Sequence, residues 1–78
     1  MNNFKLKASL WGGGIYERFL NNEISSAQIV TTALCEGVND PEDYYKQTLD
    51  NVCGLVGGYI LTYDQEEDIF DVWALSNE

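Results

Sequence analysis

Gly57-Gly58-Tyr59-Ile60-Leu61-Thr62-Tyr63-Asp64-Gln65-Glu66-Glu67-Asp68-Ile69-Phe70-Asp71-Val72-Trp73-Ala74-Leu75-Ser76 is the stretch that decides the fold. Two runs rich in aromatic and β-branched residues flank an acidic break, Asp64 to Asp68, that holds nothing a core would accept. That is the pattern of a β-hairpin. With an even-length loop, Tyr59, Leu61, Tyr63, Phe70, Val72 and Ala74 share one face, and Ile60, Thr62, Ile69, Asp71, Trp73 and Leu75 the other. Neither face is polar. Helices are expected on one; the other is either covered by a partner or second copy, or kept wet by Thr62, Asp71 and the edge of Trp73.

Upstream, Phe4, Leu6, Ala8 and Leu10 alternate with Lys5, Lys7 and Ser9, a strand with one buried face. Gly12-Gly13-Gly14 then reads as a turn, because it lacks the glycine spacing and the Gly-Lys-Ser/Thr ending of a nucleotide fingerprint. Residues 15–20 fit either a strand across that turn or a helix with a Tyr16, Phe19, Leu20 stripe; β-propensity and the glycines favour the strand. Ser25 and Gln28 form a capping box that opens a helix, with Ala27, Val30, Ala33 and Leu34 as its stripe and Gly37 as its end. A second helix is expected from the cap Asp40-Pro41-Glu42-Asp43, with Tyr45, Leu49, Val52 and Cys53 buried and Gly54 as its stop.

These elements give a single α+β domain over residues 1–78: an antiparallel sheet of three or four strands with two central helices on one face, in the order β-(β)-α-α-β-β. Three Phe, two Trp and five Tyr supply a core for so short a chain. No apolar run is long enough for a membrane span and no signal peptide is recognisable, so the expected compartment is the cytoplasm. Cys35 and Cys53 are too few and too far apart for a disulfide framework or zinc site and are expected as small core residues at helix ends.

Charge is the strongest global signal. The formal net charge is −9. Residues 1–35 carry Lys5, Lys7 and Arg18 against Glu17 and Glu23, whereas residues 36–78 carry eleven carboxylates against Lys46 alone. Such a field repels nucleic acid and anionic membrane and attracts basic surfaces. With no histidine, the commonest general base and metal ligand is missing, and carboxylate pairs would need a walled cleft that a chain of this size can hardly spare. The sequence therefore points away from an enzyme, and no cofactor motif is present. Neither Asn39-Asp40-Pro41-Glu42-Asp43 nor the tip matches a calcium-loop spacing.

If the second helix packs beside the hairpin, Glu42, Asp43 and Asp50 join Asp64, Glu66, Glu67, Asp68 and Asp71 in a negative stripe that resembles a row of phosphates. Tyr44, Tyr63 and Trp73 lie near those charges and are the residue types that anchor interfaces. Size and charge are similar to those of phage-encoded counter-defence proteins, the anti-restriction and anti-CRISPR inhibitors that mimic nucleic acid. That compositional similarity implies a basic nucleic-acid-binding protein as partner, in a host cytoplasm. The rival expectation is an adaptor or homodimer joined through the second face, at Trp73, Leu75 and Ile69.

Overall fold

The hairpin forms with the register its pattern predicts. In the computed structural model, which describes residues 3–38 and 44–76, β4 (Tyr59–Asp64) pairs antiparallel with β5 (Ile69–Ser76), Leu61 opposite Val72 and Asp64 opposite Ile69. The remaining elements are β1 (Asn3–Trp11), α1 (Ile15–Leu20), α2 (Ser26–Glu36), β2 (Tyr45–Lys46) and β3 (Val52–Val56). The strands make one antiparallel sheet in the order β2-β1-β5-β4-β3, so the fold is α+β as expected, with five strands in place of three or four.

One face of the sheet carries the helices. Leu61, Phe70 and Val72 from the hairpin and Ile29 and Ala33 from α2 are wholly buried there, with Val30 and Ala8 almost so. Each large side chain withdrawn from water contributes about 1.5–3 kcal/mol, which makes this layer the main source of stability. The capping box holds α2 at its start: Gln28 N–H donates to Ser25 Oγ at 3.2 Å and Ser25 N–H to Gln28 Oε1 at 2.8 Å. Its buried stripe is Ile29, Val30 and Ala33, rotated from the expected one so that Ile29 faces inward while Ala27 and Leu34 are exposed. Gly37 ends the helix where a Cβ would collide with the Ala33 and Ser9 carbonyl oxygens; that close approach lets Val38 bridge to Ser9.

Residues 15–20 are a helix, against the strand expectation. Gly13 and Gly14 adopt φ of 55° and 91°, a left-handed turn that costs glycine little. A six-residue helix is too short to persist alone. It is held by Tyr16, whose ring stacks on Tyr63 at 3.9 Å between centroids, and by Ile15 and Phe19 against the core; Leu20 stays exposed.

The second expected helix is absent over the described part of its span; its cap, Asp40 to Asp43, lies outside the described residues. Tyr45–Lys46 instead pairs with Phe4 and Lys5, and Val52–Val56 forms β3 against β4. Gly57 and Gly58, with φ of 52° and 86°, make the two-residue turn that joins Val56 to Tyr59. A partner strand across a tight turn gives Val52, Leu55 and Val56 a ladder that suits them better than a helix interrupted by Gly54. Gly54 itself lies against Ser26 of α2, leaving no room for a Cβ.

Two bulges divide the edge and central strands. In β1 the register slips between Leu6 and Ala8, so that Leu6 lies opposite Trp73 but Ala8 lies opposite Val72. Since opposed residues share a face, the alternation of Phe4, Leu6, Ala8 and Leu10 is broken at Lys7: the first two sit on the second face and the last two on the helix face. A matching slip between Val52 and Gly54 makes Cys53 the bulge of β3. The cysteines differ from expectation accordingly: Cys35 is exposed on α2, and Cys53 is half-buried on a strand, both as free thiols.

The second face is covered over its middle by the chain's own residues. Trp73 is 1% exposed, donates its indole N–H to Thr62 Oγ1 at 2.9 Å, and lies under Tyr44 at 5.6 Å and Lys46 Nζ at 5.4 Å. Beyond that lid, Val52, Leu55 and Leu75 remain exposed on the same face. Among the described residues no helix is long and apolar enough to cross a membrane.

Candidate partner-binding surface

The acidic tip is an ordered loop in which some carboxylates serve the chain itself. Asp64 Oδ1 accepts from the N–H groups of Glu66 at 2.9 Å and Glu67 at 3.4 Å, an Asx turn that sets the loop. Asp68, at φ 56°, fastens three elements. Its Oδ1 accepts from the Tyr63 hydroxyl at 2.5 Å, its Oδ2 from Gly13 N–H at 2.9 Å, and its carbonyl from Gly12 N–H at 2.7 Å. A Cβ at Gly12 would run into the Asp68 carboxylate, so the missing side chain at Gly12 leaves the room that carboxylate takes. The same carboxylate, by hydrogen bond and by its charge, pushes the Tyr63 phenol up to about 12. What the tip offers a partner is therefore Gln65, Glu66 and Glu67, together with the exposed Asp64 carboxylate that sets the loop.

Asp71 stands on the second face, half-buried, and accepts from the Ser9 hydroxyl at 2.6 Å. Burial pushes its carboxyl up from the usual range, while the Ser9 hydrogen bond and the Lys46 charge oppose the rise. Two adjoining concavities open at this end of the sheet. The larger, about 550 Å3, lies between Tyr16, Val52, Cys53, Gln65 and Glu66; the smaller, about 140 Å3, lies between Lys46, Asp50, Thr62 and Asp71. Asn51, Tyr63 and Asp64 line both. Asp50, Asp64, Glu66 and Asp71 thus gather at one corner, drawn from the loop before β3, the tip and β5.

The expected stripe is placed in part. Asp50 reaches the corner from a loop and not from a helix, and Glu42 and Asp43 lie outside the described residues. Of the three aromatic anchors, Tyr44 is exposed, whereas Trp73 and Tyr63 are buried and hold the sheet together. Three contributors had no signal in the charge pattern: Ser9, Tyr16 and Asn51. Asn51 could have been found, since asparagine before an apolar run is the residue that takes the left-handed backbone it shows here, at φ 59°.

Burial pushes the Cys53 thiol up, away from the thiolate a nucleophile needs. Among the described residues no three Cys, Asp or Glu side chains converge where they could hold a metal ion. Compared with known protein families, curated proteins and solved structures, the chain matches none of them.

Proposed function

We propose that this chain is a non-enzymatic, acidic protein-binding inhibitor that occupies the basic nucleic-acid-binding groove of a partner, a nucleic-acid mimic of the phage counter-defence type. The reading is supported by one observation: Asp50, Asp64, Glu66 and Asp71 surround two adjoining concavities with Lys46 as the one basic lining residue. Glu66 and Glu67 project from a tip whose shape is fixed by Asp64 and Asp68, so they meet a basic groove with little ordering left to do. Exposed carboxylates on a fixed loop steer a basic partner from a distance and pair with arginine at contact.

The test is capture from a host lysate at low salt, stepwise salt elution, and competition with a duplex oligonucleotide. Under this reading nucleic-acid-binding proteins leave early in the gradient, the oligonucleotide displaces them, and the Asp50→Lys, Glu66→Lys, Glu67→Lys triple variant captures none. Retention at high salt, or indifference to the oligonucleotide, would sink it.

A second reading, an adaptor or homodimer joined through the second face, is favoured by the exposure of Leu55 (75%), Leu75 (51%) and Val52 (50%) there. Trp73 cannot be its anchor, being covered by Tyr44. Sedimentation at rising salt tests it: an apolar dimer holds or tightens where an acidic monomer stays single.

A further inference from the structure

The two edges of the sheet are treated differently. Along β1 the outer edge is closed: Val38 exchanges hydrogen bonds with Ser9 at 2.8 and 3.0 Å, Leu6 N–H reaches the Tyr44 carbonyl at 3.0 Å, and β2 covers Phe4 and Lys5. Along β3 the outer edge has no neighbour among the described residues. Natural sheets guard such an edge with lysine, proline, a bulge or a covering segment. Val52-Cys53-Gly54-Leu55-Val56 contains neither charge nor proline, and its bulge at Cys53 twists one half only, leaving Gly54–Val56 regular. Across the two-residue turn Val56 and Tyr59 are the closing pair, so Leu55 turns its N–H and C=O away from β4. Its side chain is 75% exposed on the second face.

We infer that the free edge of β3 is a strand-addition site for an extended segment of a basic partner protein. Charge selects the occupant. The Asn51–Cys53 end of the strand borders the larger concavity, whose other walls include Asp64 and Glu66 and no basic side chain. A second copy would bring a net charge of −9 against the same corner, and repulsion disfavours it. An incoming strand antiparallel to β3 takes its main-chain bonds from Leu55, lays an apolar side chain against Leu55, and delivers basic residues at its C-terminal end to Asp64 and Glu66. The inference rests on the reading above for the sign of the partner's charge. The peptide assay below reads the edge alone, so its failure and the failure of groove binding are separate results.

The probe is a synthetic acetyl-Thr-Val-Thr-Val-Thr-Lys-Lys-amide, with two controls: the same peptide ending in two glutamates, and one N-methylated at alternate amides. Amide exchange by NMR should show the Leu55 N–H slowed about tenfold or more by the lysine peptide and by neither control. Leu55→Pro removes the outward N–H while leaving the β4 ladder intact, and should abolish binding. Leu55→Lys, which keeps the outward N–H, should also abolish it by setting an ammonium against the peptide's apolar side chain. Equal binding of the glutamate peptide, unchanged Leu55 exchange, binding that survives in a folded Leu55→Lys protein, or a free chain that sediments as a dimer with Leu55 already protected would each overturn the assignment.

Discussion

The two faces of β5 are buried by different means. On the helix side, Phe70 and Val72 sit among aliphatic and aromatic neighbours from β1, β4, α1 and α2, and depend on apolar area alone. On the other side, Trp73 is equally hidden, yet its cover is a tyrosine ring, a lysine ammonium and one hydrogen bond. Among the described residues helix covers one side of the sheet only, and the middle of the other side is closed by three polar-tipped residues. The first face should therefore fail through lost volume, and the second through lost polar partners.

Phe70→Ala breaks the comparison hardest. Removing a wholly buried ring should cost about 3–5 kcal/mol, most of what a domain of this size has in hand, and urea titration should find the variant largely unfolded. Trp73→Phe comes next: it keeps most of the ring but strips the donor from Thr62, a buried hydroxyl, for about 1–3 kcal/mol. The double variant with Thr62→Val should recover part of that loss. Full additivity in the cycle would show that the hydrogen bond is not what closes this face.

Asp68 gives a pH-dependent prediction on the helix side, through Tyr63. Because the folded phenol titrates at about 12 against an ordinary 10.0, the stabilisation from the Tyr63 to Asp68 bond is fully present below 10 and is lost as pH rises toward 12. Asp68→Ala should return the phenolate transition, read by ultraviolet absorbance, toward its ordinary position. It should also loosen the Gly12–Gly14 turn.

On the second face Lys46→Gln should cost about 0.5–1 kcal/mol through its cation–π contact and let the Asp71 carboxyl rise further. The folded state holds the Asp71 proton more readily than the unfolded chain does. Stability linked to that group is greatest in acid and falls as pH climbs through the raised pKa, and Asp71→Asn should remove that slope. The smallest effect belongs to the tip: Glu66→Lys with Glu67→Lys should leave stability within about 0.5 kcal/mol while reversing the charge offered to a partner.

Much of the fold was legible, and the failures have physical causes. The hairpin declared itself through alternation, and α2 through Ser25 and Gln28, because both signals are local and chemical. The helix expected after Asp40 rested on the Asp40–Asp43 cap and on a spacing, Tyr45, Leu49, Val52 and Cys53, that pairing of Tyr45 with β1 and of Val52 with β4 across the Gly57-Gly58 turn overrode. Gly57-Gly58 carried the better signal, since two adjacent glycines beside an apolar run are a tight hairpin turn. Residues 15–20 were too few for either period to decide; a ring on a distant strand, Tyr63, decided it. The charge of the site was legible as a count. Which carboxylates were already spent was not, because Asp68 finds Gly13 only after the sheet has formed.

β1 and β5 lie side by side, with Asn3 opposite Ser76. The central pairing of the sheet thus joins the two most widely separated strands of the chain. Little of the core can be sealed until β5 has found β1, so folding is slow for so few residues. The same adjacency allows a short linker to join residue 76 to residue 3. New ends could then be opened at the Gly57-Gly58 turn, placing the origin of the chain beside the bare edge of β3.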